Sequence, residues 1–275
     1  MKLDEIKPAH CYARAQLLLA ELELVREEMG RTKDARPAPE VSNVSPREVY
    51  FEAIAAWHKV NRFANELGAR VPRPAPAAPP LRDVKPGHVL ELIDCVHAHV
   101  DDVKQRLQIT ERTTESAIEG TRQPGDVLMT LVRVNRELSR VLERPFTPSD
   151  VYRTVALASA YAARAGGTAT PAPFERKRQP IDCYKQLEQC LALVGSAIGR
   201  RGESALTSRS TLIDILPTDV YDLANLVLGE VAFLHSLVPS AQPLHAFEPG
   251  GDGHRLPSHV FQLARTLEAQ LSSIA

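Results

Sequence analysis

At 275 residues, with 33 Lys and Arg against 34 Asp and Glu, the chain is long enough for one large domain or two smaller ones and carries a formal charge of -1. That balance supplies no basic field for nucleic acid or an anionic membrane, and no apolar run approaches the roughly 20 residues that cross a bilayer. Cys11, Cys95, Cys183 and Cys190 show no CxxC spacing, so reduced thiols are expected rather than a disulfide or zinc framework.

Taken in chain order, the elements begin alike. Eight segments share the form Pro, any residue, Asp/Glu/His, Val/Cys, Tyr/Leu/Phe: "KPAHCY" (7–12), "SPREVY" (45–50), "KPGHVL" (85–90), "QPGDVL" (123–128), "TPSDVY" (147–152), "QPIDCY" (179–184), "LPTDVY" (216–221) and "LPSHVF" (256–261). Eight matches in register across the whole length signal internal duplication. Each residue suits a helix start. Proline has a helical φ and lacks an N–H that would find no partner there. The acid two residues later accepts from the cap N–H and meets the positive end of the helix dipole. His10, His88 and His259 replace that acid, as neutral rings accepting the same bond. The residue two before the proline is Ile6, Val44, Val84, Phe146 or Ile215 in five copies, which predicts a staple onto the first turn. It is Arg122, Arg178 or Arg255 in the others, which suggests two classes of helix environment.

Positions 3, 7, 10 and 14 past each proline are apolar in all 32 cases, in a chain that is 44% apolar. This spacing is a heptad seam, and it predicts an all-α fold of eight helices of about 20 residues, each about 30 Å long. The proline-to-proline intervals are 38, 40, 38, 24, 32, 37 and 40. The short one, across "LERPFT" (142–147), makes helices four and five antiparallel neighbours and divides the chain into four-helix halves at 1–145 and 146–275. The remaining connectors are long and rich in Pro and Ala, as in "RPAPEVSNV" (36–44) and "RPAPAAPPLRDV" (73–84). In extended form they can return along a helix, so consecutive helices within a half can run parallel. Flexible linkers between antiparallel helices are the alternative. The apolar pattern shared by "LDEIKP", "VSNVSP", "LRDVKP" and "LIDILP" favours docked connectors.

The candidate sites follow from the same pattern. Tyr12, Tyr50, Tyr152, Tyr184 and Tyr221 share one position, as hydroxyls around a ligand or as core-edge packing residues. Asp94, His97 and Asp101 lie on one helix face at i, i+3 and i+7, a spacing able to supply metal ligands. His245, His254 and His259 surround a Gly-rich loop, and basic patches occur at 174–179 and 199–210. P-loop, GxSxG, HExxH and GxGxxG signatures are missing from the sequence, and nothing in it calls for a cofactor.

The expectation is a bacterial, non-enzymatic helical-repeat module that binds an unknown protein or small-molecule ligand at a bundle end. Nucleic acid is not expected as a partner. The alternatives are an all-α enzyme or metalloprotein with a site assembled across helices, and an envelope protein. The first ten residues lack signal-peptide features, which makes the chain cytoplasmic as written, or periplasmic if a leader once preceded it.

Overall fold

A computed structural model describes residues 5–37, 39–68, 74–114, 117–118, 120–209, 214–239 and 253–275. Among them are eight helices: α1 Pro8–Glu28, α2 Pro46–Glu66, α3 Pro86–Arg106, α4 Pro124–Val141, α5 Pro148–Arg164, α6 Pro180–Gly199, α7 Pro217–Ser236 and α8 Pro257–Ile274. A two-stranded sheet of β1 Glu40–Ser42 and β2 Thr207–Arg209, with a single 3-10 turn at Leu81–Asp83, completes the regular structure among the described residues. The fold is all-α, and none of the helices is long and apolar enough to cross a membrane.

Every helix opens on proline, and at every start the third helical residue accepts a hydrogen bond from the cap N–H. Carboxylates do so at five helices, for example Glu48 Oε2 from Ser45 N–H at 2.7 Å and Asp219 Oδ2 from Leu216 N–H at 2.7 Å. At the other three the Nδ1 of His10, His88 and His259 accepts, at 3.0, 3.1 and 3.0 Å. An Nδ1 that accepts leaves Nε2 as the ring's N–H donor.

Some of the helix ends repeat as well. Gly30, Gly68 and Gln108 each stand 22 residues past their helix's proline with φ of 62°, 70° and 58°. This is the left-handed cap that turns the chain out of a helix, and glycine takes it without a steric penalty. Gln108 pays that penalty, and we expect Gln108→Gly to raise unfolding free energy by about 0.5–1 kcal/mol in chemical denaturation. A loss of stability would show that the Gln108 side chain has a role of its own.

Contacts divide the chain into two compact units, residues 1–40 with 44–144, and residues 41–43 with 145–275. In the first, each helix packs on two others in the ring order α1–α3–α2–α4; in the second the order is α5–α7–α6–α8. Consecutive helices α1 and α2 thus lie across a diagonal. Pro8, Pro46, Pro86 and Pro124 surround one small void, and Pro148, Pro180, Pro217 and Pro257 surround another. All four helices of a unit therefore start at the same end and run parallel. Connector length permits this. Residues 29–45, 67–85 and 107–123 are each long enough, at about 3.3 Å per extended residue, to travel back along a helix of about 31 Å. Each unit consequently aligns four helix dipoles, and carboxylates at the third helical position offset part of the resulting repulsion.

The heptad seams fill the two cores. None of the 32 seam residues is more than 3% exposed. The parallel register places equivalent positions in one layer, such as Cys11, Val49, Val89 and Val127 beneath the first proline ring. Helices α4 and α5, expected from the short interval to be antiparallel neighbours, each find their two packing partners within their own unit.

Candidate functional site

At the proline end the repeated residues contact each other in one direction around each ring. The Arg122 guanidinium lies 4.3 Å over the Tyr12 ring, Arg178 lies 4.2 Å over Phe261, and Arg255 lies 4.5 Å over Tyr152. Phe146 stacks on Tyr221 at 3.8 Å. The backbone N–H of Arg178 donates to Ser258 Oγ, and that of Arg255 to Ser149 Oγ. A Cβ on Gly125 would meet Val44 at 3.9 Å. The residue two before each of these prolines thus covers the start of the next helix in the ring. Arginine and apolar side chains perform one task there, since each covers an aromatic or aliphatic surface.

The five tyrosines are divided between the units, with Tyr12 and Tyr50 in the first and Tyr152, Tyr184 and Tyr221 in the second. Tyr50 and Tyr221 are buried, and burial pushes the Tyr50 phenol upward. None of the five borders the voids inside the proline rings, which are lined by the prolines and by the Val or Cys three residues later. Those voids measure about 10 and 20 Å³, room for one water at most.

Two of the Cys residues sit in that layer. Cys11 Sγ donates to the Pro86 carbonyl at 3.2 Å and Cys183 Sγ to that of Pro257 at 3.2 Å. Burial pushes both thiols up to about 12, and it raises Cys190 as well. Cys95 alone of the four is partly exposed. An aromatic disulfide reagent at pH 8 is expected to label one thiol per native chain, lost in Cys95→Ser, and four after denaturation. Rapid labelling of Cys11 or Cys183 in the native chain would contradict this packing.

The metal-spaced residues do not converge. Asp94 pairs with Arg14 at 2.9 Å, whereas His97 Nδ1 lies 3.5 Å from Asp101, which also pairs with Arg112. Among the described residues, no three His, Cys, Asp or Glu side chains form a group able to hold a metal. His245 lies outside the described residues, and His259 is a helix cap. The basic patches are partly tied down. Glu175 takes both Arg178 and Arg265, while Arg201 Nη1 donates to the Ala197 carbonyl at the end of α6.

The sequence reading missed a cavity of about 400 Å³ in the first unit, between α1, α4 and the connector that follows α1. Residues 31–37 are clamped over it. Arg136 donates to the carbonyls of Arg36 and Pro37 at 2.8 and 3.1 Å. Asp34 pairs with Arg36 at 2.6 Å and with Arg140 at 3.5 Å. Behind the connector, Glu137 is 4% exposed and stands 2.9 Å from Arg26 Nε, outside hydrogen-bond alignment, so its Oε2 has no hydrogen-bond partner among the described residues. Burial raises the Glu137 carboxyl, against the opposing Arg26 charge. The signal in the sequence was "RVNRE" (133–137), which puts Arg133, Arg136 and Glu137 on one face of α4 at i, i+3 and i+4.

The acids here set the response to pH. Burial alone would raise Asp34, but the Arg36 donors and charge, with Arg140, bring it to about 2. Burial would likewise raise Glu21, but Lys104 and the Thr113 hydroxyl and N–H outweigh it and hold the carboxyl below its usual range. Both groups bind protons more tightly when unfolded. Their contribution is complete above the ordinary carboxylate range and is lost as pH falls through about 4 toward 2. Glu137 has the opposite sign, since its protonation favours the folded state. Urea midpoints of the first unit, read from its single tryptophan, Trp57, are expected to fall steeply between pH 5 and 2, with a smaller fall in Asp34→Asn. An unchanged slope in that variant would remove Asp34 from the account.

Among the described residues the chain is thus an all-α protein of parallel four-helix rings, with residues 31–37 clamped along the first. Compared with known proteins, it matches no family model, no curated protein and no solved structure.

Proposed function

We propose that the chain is a non-enzymatic binding module, made of two four-helix halves that arose by duplication of one helix-plus-connector unit. The duplication is supported by the equivalent contacts of Arg178 with Ser258 and Phe261, and of Arg255 with Ser149 and Tyr152. One observation carries the binding role. The 31–37 connector is fixed by Arg136 as the roof of a 400 Å³ groove, within the size range of small-molecule sites. The prolines and the Val or Cys three residues later are taken up in packing at the bundle end, which favours the connectors as the binding surface.

Native mass spectrometry of the chain purified from its native host tests this reading. The expected result is mass beyond the 30.3 kDa chain that leaves intact on denaturation, as a small molecule or a partner protein. Chemical conversion of the released molecule by fresh chain would contradict a binding module.

A further inference from the structure

We propose that the proline end of the second unit is a docking face for a second copy of this chain. The inference goes beyond the binding-module reading and does not depend on the groove. Among the described residues four large apolar side chains are exposed, Ile118, Phe174, Leu216 and Leu256, and the last three gather at this one end. Leu216 and Leu256 are the caps of α7 and α8, and they are 40% and 50% exposed. The Phe174 ring lies 5.0 Å from that of His259, in the first turn of α8. Leucine is among the poorest cap residues, because its side chain accepts nothing from the first-turn N–H groups. The caps of the first unit, Lys7, Ser45, Lys85 and Gln123, are all polar, so the ring architecture does not require leucine there. Two leucines at this end lose a cap and stay in contact with water, and burial against a partner offsets both.

Charge selects the occupant. Helices α7 and α8 stand diagonally across the ring α5–α7–α6–α8. The α7 corner carries exposed Asp214, two residues ahead of Leu216. The α8 corner carries exposed Arg176 and Lys177, in the segment that Arg178 fastens to α8 through Ser258 and Phe261. A second copy, turned by half a revolution about an axis lying in this face, sets each α7 corner on the other's α8 corner. Leu216 then meets Leu256, and Asp214 meets the two cations, twice over in one self-complementary contact. Asp150, Asp182 and Asp219 at the third helical positions offset the repulsion between helix starts that face each other. The void inside the proline ring, about 20 Å³, admits no side chain, so it gives a peptide no anchoring pocket.

Sedimentation equilibrium of the full chain over a concentration series tests the assignment. The mass is expected to rise from 30.3 kDa toward twice that value. A dissociation constant of about 10–100 μM fits so small a face. The double variant Leu216→Ser with Leu256→Ser should stay monomeric and unfold at a temperature no lower than the parent's, since serine is the better cap. Asp214→Lys should weaken the dimer at least about tenfold, as should Arg176→Asp with Lys177→Asp, and the three together should restore it. A parent chain still monomeric at about 500 μM, a dimer that survives both serine substitutions, or charge reversals that do not rescue each other would each overturn the proposal. A monomeric chain that sediments with phosphatidylserine vesicles through these leucines would give the face to lipid and overturn it as well.

Discussion

Glu21→Ala is expected to cost the first unit about 3–5 kcal/mol, the range for removing one partner of a buried ion pair. Glu21 and Lys104 link α1 to α3, and their side chains are 3% and 0% exposed. The same carboxylate accepts the Thr113 N–H at 2.7 Å and its hydroxyl at 2.6 Å. It therefore pins the connector after α3 as well as the helix. Without it the Lys104 ammonium keeps, among the described residues, only the Glu111 carbonyl, and two Thr113 donors lose their acceptor. The loss is a large part of an ordinary folding free energy of about 5–15 kcal/mol, so Glu21→Ala is expected to be partly unfolded. Glu21→Leu combined with Lys104→Met replaces the pair by apolar groups and should recover most of the loss. Urea denaturation followed by Trp57 fluorescence reads both. A loss below about 1 kcal/mol in Glu21→Ala would place the pair among ordinary surface bridges.

The second large effect comes from register. Seven residues past the prolines, the first unit has Ala15, Ala53, Ile93 and Leu131, all at most 0% exposed, and α2 and α4 are ring neighbours. In parallel helices Ala53 and Leu131 share a layer. Ala53→Leu overpacks it and is expected to cost about 1–3 kcal/mol. Leu131→Ala leaves a cavity and is expected to cost about 2–5 kcal/mol. Combined, the two should cost less than their sum by about 1–3 kcal/mol, because the added side chain fills the space vacated. Strict additivity would mean that the two positions do not meet.

Much of the fold was legible because it is written in periodic positions. Proline at the first helical residue, an acceptor two residues later and a 4-3-4 apolar seam each have one local physical reading, and burial of all 32 seam residues bears out the helix faces. Parallel direction was harder. It depends on connectors such as 29–45 docking along a helix, and the docking atoms are ones without a sequence pattern, such as the Arg36 and Pro37 carbonyls held by Arg136. The alternation of Arg with apolar residues before the prolines suggested two environments. The structure gives one environment instead, because a guanidinium lies over Tyr12 as Phe146 lies over Tyr221. The groove escaped notice because its parts come from α1, α4 and a connector. Asp94, His97 and Asp101 have ligand spacing along the chain, but Arg14 on α1 draws Asp94 into a pair that spacing cannot reveal.

The parallel arrangement is the central claim, and one distance tests it. Spin labels at Lys7→Cys and Gln123→Cys, in a Cys95→Ser background, mark the starts of neighbouring helices α1 and α4. Parallel helices packed about 8–10 Å apart put the labels within about 20 Å of each other in double electron–electron resonance. A distance beyond about 30 Å, the length of a helix of about 20 residues, would mean that α1 and α4 run antiparallel and would contradict the account.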